Sequence, residues 1–115
     1  MKILICGGRN FIDIDRGFKE LDNFHREHGV THVIHGAARG ADSVGSAWAN
    51  NRNIPQTEYP ANWNKYGRSA GYLRNTKMAN AKPDAVLAFP GGRGTQHMID
   101  IARKRGIPVY QSQLE

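Results

Sequence analysis

The chain predicts an α/β domain built on a mainly parallel five-stranded sheet. Short apolar runs of strand length alternate with segments whose apolar residues recur at helical spacing, along the whole of its 115 residues. Glycine clusters fall where strand-like runs end and helical patterns begin, and the alternation of strands with helices implies right-handed β–α–β crossovers. Helices then cover both faces of the sheet, giving a single Rossmann-like three-layer domain over residues 1–115.

Each element has its own signal. Lys2–Gly7 is almost continuously apolar, as a strand buried on both faces is. From Asp13 to His28, Phe18, Leu21 and His25 recur at helical spacing with Phe24 beside them. "VTHVIHG" is the second strand, ended by Gly36. Ala41 to Arg52 is the next helix, with Val44, Ala47 and Trp48 as its stripe. "QTEYPA" is a short third strand bounded by Pro55 and Pro60. Ser69 to Ala81 is helical, with Leu73 and Met78 facing inward. "DAVLAFP" is the fourth strand and the clearest in the chain. Thr95 to Arg105 is a helix stopped by Gly106 and Pro108, and "PVYQ" is the fifth strand.

Composition narrows the function classes. No apolar stretch approaches the roughly 20 residues of a membrane span, so no membrane partner is expected. "MKILICGG" reads as a buried first strand and not as a signal peptide. The single cysteine, Cys6, excludes an internal disulfide and suits a reducing cytoplasm, the expected location. It reads as a buried strand residue. Sixteen Lys+Arg against 10 Asp+Glu give a net charge of +6, which favours anionic partners or simply a solubilising surface. Placement is more informative: Arg9, Arg39, Arg68 and Arg93 lie in or beside glycine-containing loops. His25, His28, His32 and His35 are close in sequence, but His32 and His35 face opposite sides of a strand. No cysteine or paired carboxylate completes a set, so neither a metal nor a cofactor is expected.

Ligands of open α/β sheets bind beyond the carboxyl ends of the strands. Every notable motif lies there. After the first strand, Gly7, Gly8 and Arg9 form a tight turn or a close approach to a ligand. The dinucleotide fingerprint G-x-G-x-x-G is absent. After the second, Gly36 and Gly40 bracket Arg39, and Asp42 opens the next helix. Asp42 either complements the helix dipole or accepts from ribose hydroxyls. After the third come Trp63, Lys65, Tyr66, Arg68, Tyr72 and Arg74. Trp63 and Tyr66 are candidates to stack a base while the arginines pair with phosphate; alternatively Trp63 caps the sheet edge. After the fourth, Pro90 ends the strand and Gly91, Gly92, Arg93, Gly94 and Thr95 lead into a helix. Consecutive N–H groups at such a turn make a cradle for phosphate. It is not a P-loop, since no Gly-Lys-Ser/Thr follows.

Together these motifs resemble the SLOG superfamily, and within it the small YspA-like branch of bacteria and phages. The superfamily joins the "lonely guy" phosphoribohydrolases, long called lysine-decarboxylase-like proteins, with the DprA/Smf DNA-uptake proteins. "PGGRGT" matches the phosphoribohydrolase pattern P-G-G-x-G-T-x-x-E. "LRNTKM" resembles M-x-x-R-K-x-x-M, with Arg74 and Met78 in register and Leu73 offset from the first Met. "GAARGAD" resembles the DprA-type G-x-A-x-G-I-D, with Ala41 for Ile, and the "GGR" and "W-x-K-Y-G-R" pieces look YspA-like.

The resemblance implies that Gly91, Gly92, Gly94 and Thr95 hold a 5′-phosphate and that Arg74 takes the enzymes' arginine role. Met98 occupies the glutamate position and Asn75 the lysine position. Glycosidic cleavage passes through an oxocarbenium-like state that a carboxylate stabilises, and Met98 cannot do so. Met98 also fits the apolar stripe with Ile101 and Ala102. The expectation is therefore a module that binds a nucleoside monophosphate, an ADP-ribose-like molecule or a cyclic nucleotide signal, for sensing or sequestration. An N-glycosidase with Asp42 and Arg74 as its charged centre is the alternative, with His97 as a further candidate. Single-stranded nucleic-acid binding, by analogy with the DprA relatives, is a third. A homo-oligomer is expected because relatives often pair.

Overall fold

The computed structural model describes residues 1–112; the end of the expected domain span, 113–115, lies outside the described residues. Along the chain come β1 (Lys2–Cys6), α1 (Ile14–His28), β2 (His32–His35), α2 (Ala41–Asn51), β3 (Gln56–Glu58) and α3 (Trp63–Tyr66). A 3₁₀ turn (Gly67–Ser69), α4 (Ala70–Asn80), β4 (Ala85–Ala88), α5 (Arg93–Lys104) and β5 (Val109–Gln111) follow. The five strands form one sheet in the order β3-β2-β1-β4-β5, and every pairing is parallel. The α/β expectation holds, with a sheet wholly and not just mainly parallel.

Alternation along the strands sorts the core into two layers. Ile3, Ile5, Val33, Ala85 and Leu87 join Leu21 and Phe24 of α1 and Trp48 and Ala49 of α2. Leu4, Cys6, Ile34, Val86 and Ala88 join Met78 and Ala79 of α4 and Met98, Ile99 and Ala102 of α5. A parallel strand with helices on both faces has no solvent side, which is why β1 and β4 read as unbroken apolar runs. On the α1–α2 side, the indole Nε1 of fully buried Trp48 donates to Asp22 Oδ1 at 2.8 Å. Arg52 donates to the same carboxylate through Nε (3.0 Å) and Nη2 (2.8 Å), clipping the two helices together.

Several local expectations are corrected. Leu73 is 42% exposed, because α4 turns Ala70, Asn75, Met78 and Ala79 inward and a polar Asn interrupts the apolar spacing. Ala47 is exposed, and Gly45 and Ala49 share the inner face of α2 with Val44 and Trp48. Residues 63–66, read only as loop, form α3: the Asn62 side chain caps it by accepting from the Lys65 N–H at 3.1 Å. The last helix begins at Arg93, two positions before the expected Thr95, with Gly92 as its cap residue.

The strand order places the site. The chain steps from β1 outward to β2 and β3, then returns through α3 and α4 to lay β4 against the other side of β1. The order reverses between β1 and β4, so the loops leaving these two strands diverge and open a crevice at their carboxyl ends. Pairing continues past the strands before the loops part: Phe89 N–H donates to Cys6 O and Gly8 N–H to Pro90 O, both at 2.8 Å.

Trp48→Phe removes the donor to Asp22 and part of a fully buried ring system. Chemical denaturation should register a loss of about 1–3 kcal/mol, and an unchanged midpoint would show that the Trp48–Asp22 hydrogen bond is not stabilising.

Candidate functional site

Two bare backbone positions let four loops crowd together. Gly40, the cap residue of α2, has φ +81, and a Cβ there would collide with the Gly8 carbonyl oxygen. That contact lets Ala41 N–H donate to Gly8 O at 3.1 Å, pinning the loop after β1 to the start of α2. At Gly36 a Cβ would collide with the Arg74 guanidinium. Without it, Arg74 Nη1 donates to Gly36 O at 2.6 Å, tying α4 to the end of β2.

These loops enclose a cavity of about 310 Å3 at the strand-order reversal. The loop after β1 contributes Gly7, Gly8 and Arg9, and β1 itself contributes Cys6. Ala38 and Asp42 come from the loop after β2 and the first turn of α2. The β3–β4 crossover supplies Trp63, Arg68, Gly71, Tyr72, Arg74, Asn75 and Met78, and the start of α5 supplies Gly92, Gly94 and Thr95. The volume sits at the small end of the roughly 300–1,000 Å3 typical of small-molecule sites.

The expected residues are thus partly assembled. Gly7, Gly8, Arg9, Asp42, Trp63, Arg68, Arg74, Gly92, Gly94 and Thr95 line the cavity. Gly36 and Gly40 stand behind it as the close approaches just described. Arg39 and Arg93 are exposed and do not line it. Tyr66 also lies outside it, 41% exposed with Lys65 Nζ 5.1 Å from its ring centre. Pro90 and Gly91 turn instead toward two neighbouring hollows. Trp63 does not cap the sheet edge; it is 48% exposed on the cavity wall with the Arg9 guanidinium 5.6 Å from its ring centre.

Sequence reasoning missed Tyr72 and Asn75 as lining residues. Asn75 is 5% exposed and fully engaged. Its Nδ2 donates to Gly94 O and faces His97 Nδ1, each at 3.1 Å, while its Oδ1 accepts from Arg74 Nε at 3.1 Å. One amide therefore sets both the arginine and the first turn of α5. The Tyr72 ring meets His97 edge-on at 4.6 Å. A usable signal existed: an Asn at an inward helical position beside an arginine needs buried partners.

Electrostatically the cavity is cationic with one recessed carboxylate. Arg9, Arg68 and Arg74 line it, and Asp42 is its only acidic lining residue. Asp42 is 7% exposed; its Oδ2 accepts from the N–H of Gly36 (3.1 Å) and Ala38 (3.2 Å). Burial pushes its pKa up, outweighing those hydrogen bonds and the charges of His35 and Arg74. Burial likewise lowers the Arg74 pKa, against the attraction of Asp42 and with the repulsion of Arg9, yet a guanidinium stays protonated. The Cys6 thiol is pushed up to about 12, first by burial and then by Asp42, so it is neutral and no nucleophile. Burial also lowers the His97 pKa, with Asp100 opposing.

At the start of α5 no side chain caps the helix and no acidic residue sits in its first turn. The positive end of the helix dipole is therefore left without a protein carboxylate where Gly92, Gly94 and Thr95 line the cavity. Met98 is fully buried behind this turn, in the core with Leu4, Cys6, Ile34 and Met78. Among the described residues no group of three or more His, Cys, Asp or Glu could hold a metal ion. No helix among them is long and apolar enough to cross a membrane.

Because folding raises the Asp42 pKa, the folded state holds that proton more tightly than the unfolded chain. The resulting stability is fully present below the ordinary value of 3.8 and is lost as pH rises through the higher folded value. Asp42→Asn keeps an oxygen for both N–H groups but cannot ionise. Its stability relative to wild type should grow as pH rises from about 4 toward neutrality. Asp42→Ala, which strands two buried donors, should lose about 1–3 kcal/mol. Urea unfolding across pH checks both, and a wild type that gains on Asp42→Asn with rising pH would reverse the assignment.

A family model described as "YspA, cpYpsA-related SLOG family" matches residues 1–66, which carry β1 to α3 and the loops holding Gly8, Arg9 and Asp42. The chain is also 40% identical over 116 residues to the Gene 61 protein of Mycobacterium phage D29, covering 94% of this chain and 93% of that protein. The phage likeness extends across α4 and the "PGGRGT" turn, beyond the reach of the family model. With more than half of the chain under the model and a near-full-length relative alongside, the chain belongs to the YspA, cpYpsA-related SLOG family.

Proposed function

We propose that the protein binds a nucleotide or nucleotide-derived ligand in the cavity between β1 and β4, for sensing or sequestration and without turnover. The family supports a nucleotide-related ligand at a coarse level. The observation that carries the finer reading is the pairing of an uncapped α5 N-terminus with Arg9, Arg68 and Arg74 around one cavity. A phosphate at Gly92–Thr95 meets backbone donors and guanidinium groups together. Trp63 and Tyr72 offer aromatic surface for a base, and Asp42 a carboxylate oxygen for ribose hydroxyls.

One observation favours a second reading, N-glycosidic hydrolysis: Asp42 is a buried carboxylate with a raised pKa on the cavity wall beside Arg74. Against it, one Asp42 oxygen is held by two backbone N–H groups, and the position that bears the acid in the resembling enzymes is the core residue Met98.

Calorimetric titration with AMP, ADP-ribose and cyclic nucleotides tests the binding reading. At least one is expected to bind, with Arg74→Ala weakening it by about 10- to 100-fold, the worth of a charge-assisted hydrogen bond. No heat from any of them at millimolar concentration would end it. For turnover, chromatography after long incubation should find no more free base with wild type than with Arg74→Ala. Met98→Glu separates the two readings further. It should not create a hydrolase but cost about 3 kcal/mol or more, because the carboxylate enters the core, whereas Met98→Leu should cost less than about 1.5 kcal/mol. A stable, base-releasing Met98→Glu variant would show that this position faces the ligand.

A further inference from the structure

A second hollow adjoins the first on the α1 side, and the two share Gly8, Arg9 and Gly92. It is the larger, about 670 Å3, and is walled by Phe11, Ile12 and Arg16 with Pro90 and Gly91. Its chemistry is of the same kind as the first: an aromatic and an aliphatic side chain beside two guanidinium groups, Arg9 and Arg16, with one acid. Phe11 is held in place by stacking on Phe89, ring centres 4.7 Å apart. Ile12 is 76% exposed, the most of any large apolar residue in the described chain. The acid, Asp13, is occupied: its Oδ1 accepts from Arg16 N–H as the cap of α1, and its Oδ2 lies 3.6 Å from Arg16 Nε.

Where the hollows meet, two of the three shared residues, Gly8 and Gly92, carry no side chain, and the third is Arg9. Gly8 and Gly91 pack against each other, and a Cβ on Gly92 would meet nothing within 4 Å. A chain of phosphates spanning the two hollows would pass Arg9, which lines both.

We infer that the hollow beside α1 is a second nucleoside subsite, and that the preferred ligand is a dinucleotide bridged by pyrophosphate over Gly8 and Gly92. This rests on the nucleotide-binding reading and narrows it to a ligand class. One nucleoside occupies the Trp63–Tyr72 cavity, the bridge runs past Arg9, and the other nucleoside covers Phe11 and Ile12 beside Arg16. Burial of a planar base against Ile12 and Phe11 supplies the added affinity, and the Arg16 guanidinium a cationic face against the base.

Calorimetry with AMP, ADP and diadenosine diphosphate provides the test: ADP controls for the second phosphate, and because the second ester removes a negative charge, any gain by the dinucleotide must come from its second adenosine. Diadenosine diphosphate should bind about tenfold or more tighter than ADP. Ile12→Asp and Arg16→Ala, both at exposed positions, should each erase most of that gain while leaving ADP affinity within about twofold. Melting temperatures verify that both variants are folded. Equal affinity for ADP and the dinucleotide, or variants that weaken both ligands alike, would overturn the second subsite and leave the nucleotide reading standing. If none of the three binds, the second subsite falls, and the nucleotide reading falls with it only if ADP-ribose and cyclic nucleotides also give no heat.

Discussion

The Gly8 peptide group is the point on which the site depends. Its N–H donates to Pro90 O at 2.8 Å, and its carbonyl accepts from Ala41 N–H (3.1 Å) and Phe11 N–H (3.2 Å). One residue thus joins the turns after β1, β2 and β4 where the strand order reverses. The approach is possible only because no side chain intervenes: a Cβ on Gly40 would strike the Gly8 oxygen, and one on Gly91 would lie 2.6 Å from the Gly8 nitrogen. The glycine clusters therefore have a shared cause. They are less a set of independent flexible turns than the surfaces of one backbone contact, around which the charged side chains are arranged.

A second layer of order comes from side chains. Asn75 joins Arg74 to Gly94 and His97, and Arg74 in turn reaches Gly36 across to the β2 side. The two ends of this relay lie on opposite sides of the cavity, at the loop after β2 and the start of α5. Holding a guanidinium by backbone and amide oxygens, with only a recessed carboxylate nearby, leaves its positive charge uncancelled toward the cavity. An arginine fixed by a full surface ion pair would be worth less to an anion, because its charge would already be matched.

Where one short segment carried the whole signal, the sequence was legible. β4 and β1 are apolar on both faces because helices cover both, and the turns after them are glycine-rich because they must meet. The errors arose where an element's inner face is not uniformly apolar. Asn75 takes an inward place in α4, so spacing alone turned Leu73 to the core. α3 buries no residue, and its signal is one Asn62 side chain accepting from Lys65 N–H. Arg74 is expected at the site through family resemblance, and Asp42 beside it only as a carboxylate from a neighbouring loop. Their meeting through Gly36 spans 38 residues of sequence on the arginine side and has no local signature. Likewise Arg39 and Arg93 share the glycine-flanked setting of Arg9 yet stay exposed outside the cavity, because the local backbone, a loop at Arg39 and the first residue of α5 at Arg93, aims them and composition does not.

The position of Met98 separates holding an anion from cutting a bond. The N-terminal turn of α5 faces the cavity through Gly92, Gly94 and Thr95, while the helix rotates Met98 one turn on into the core behind Cys6 and Met78. A carboxylate at that position would need a differently packed floor, so a hydrolase does not follow from a single exchange of side chain. What remains around the cavity is a set of donors and cations that stabilises negative charge already present in the ligand. Glycosidic cleavage instead develops positive charge on the sugar, and only interactions that strengthen as that charge grows lower its barrier. Arg9, Arg68 and Arg74 oppose such a charge, and Asp42 has one oxygen committed to Gly36 and Ala38. Electrostatics suited to a phosphate are ill suited to forming an oxocarbenium ion, and on the proposed reading, binding without turnover, all of the cavity's groups act in the same direction.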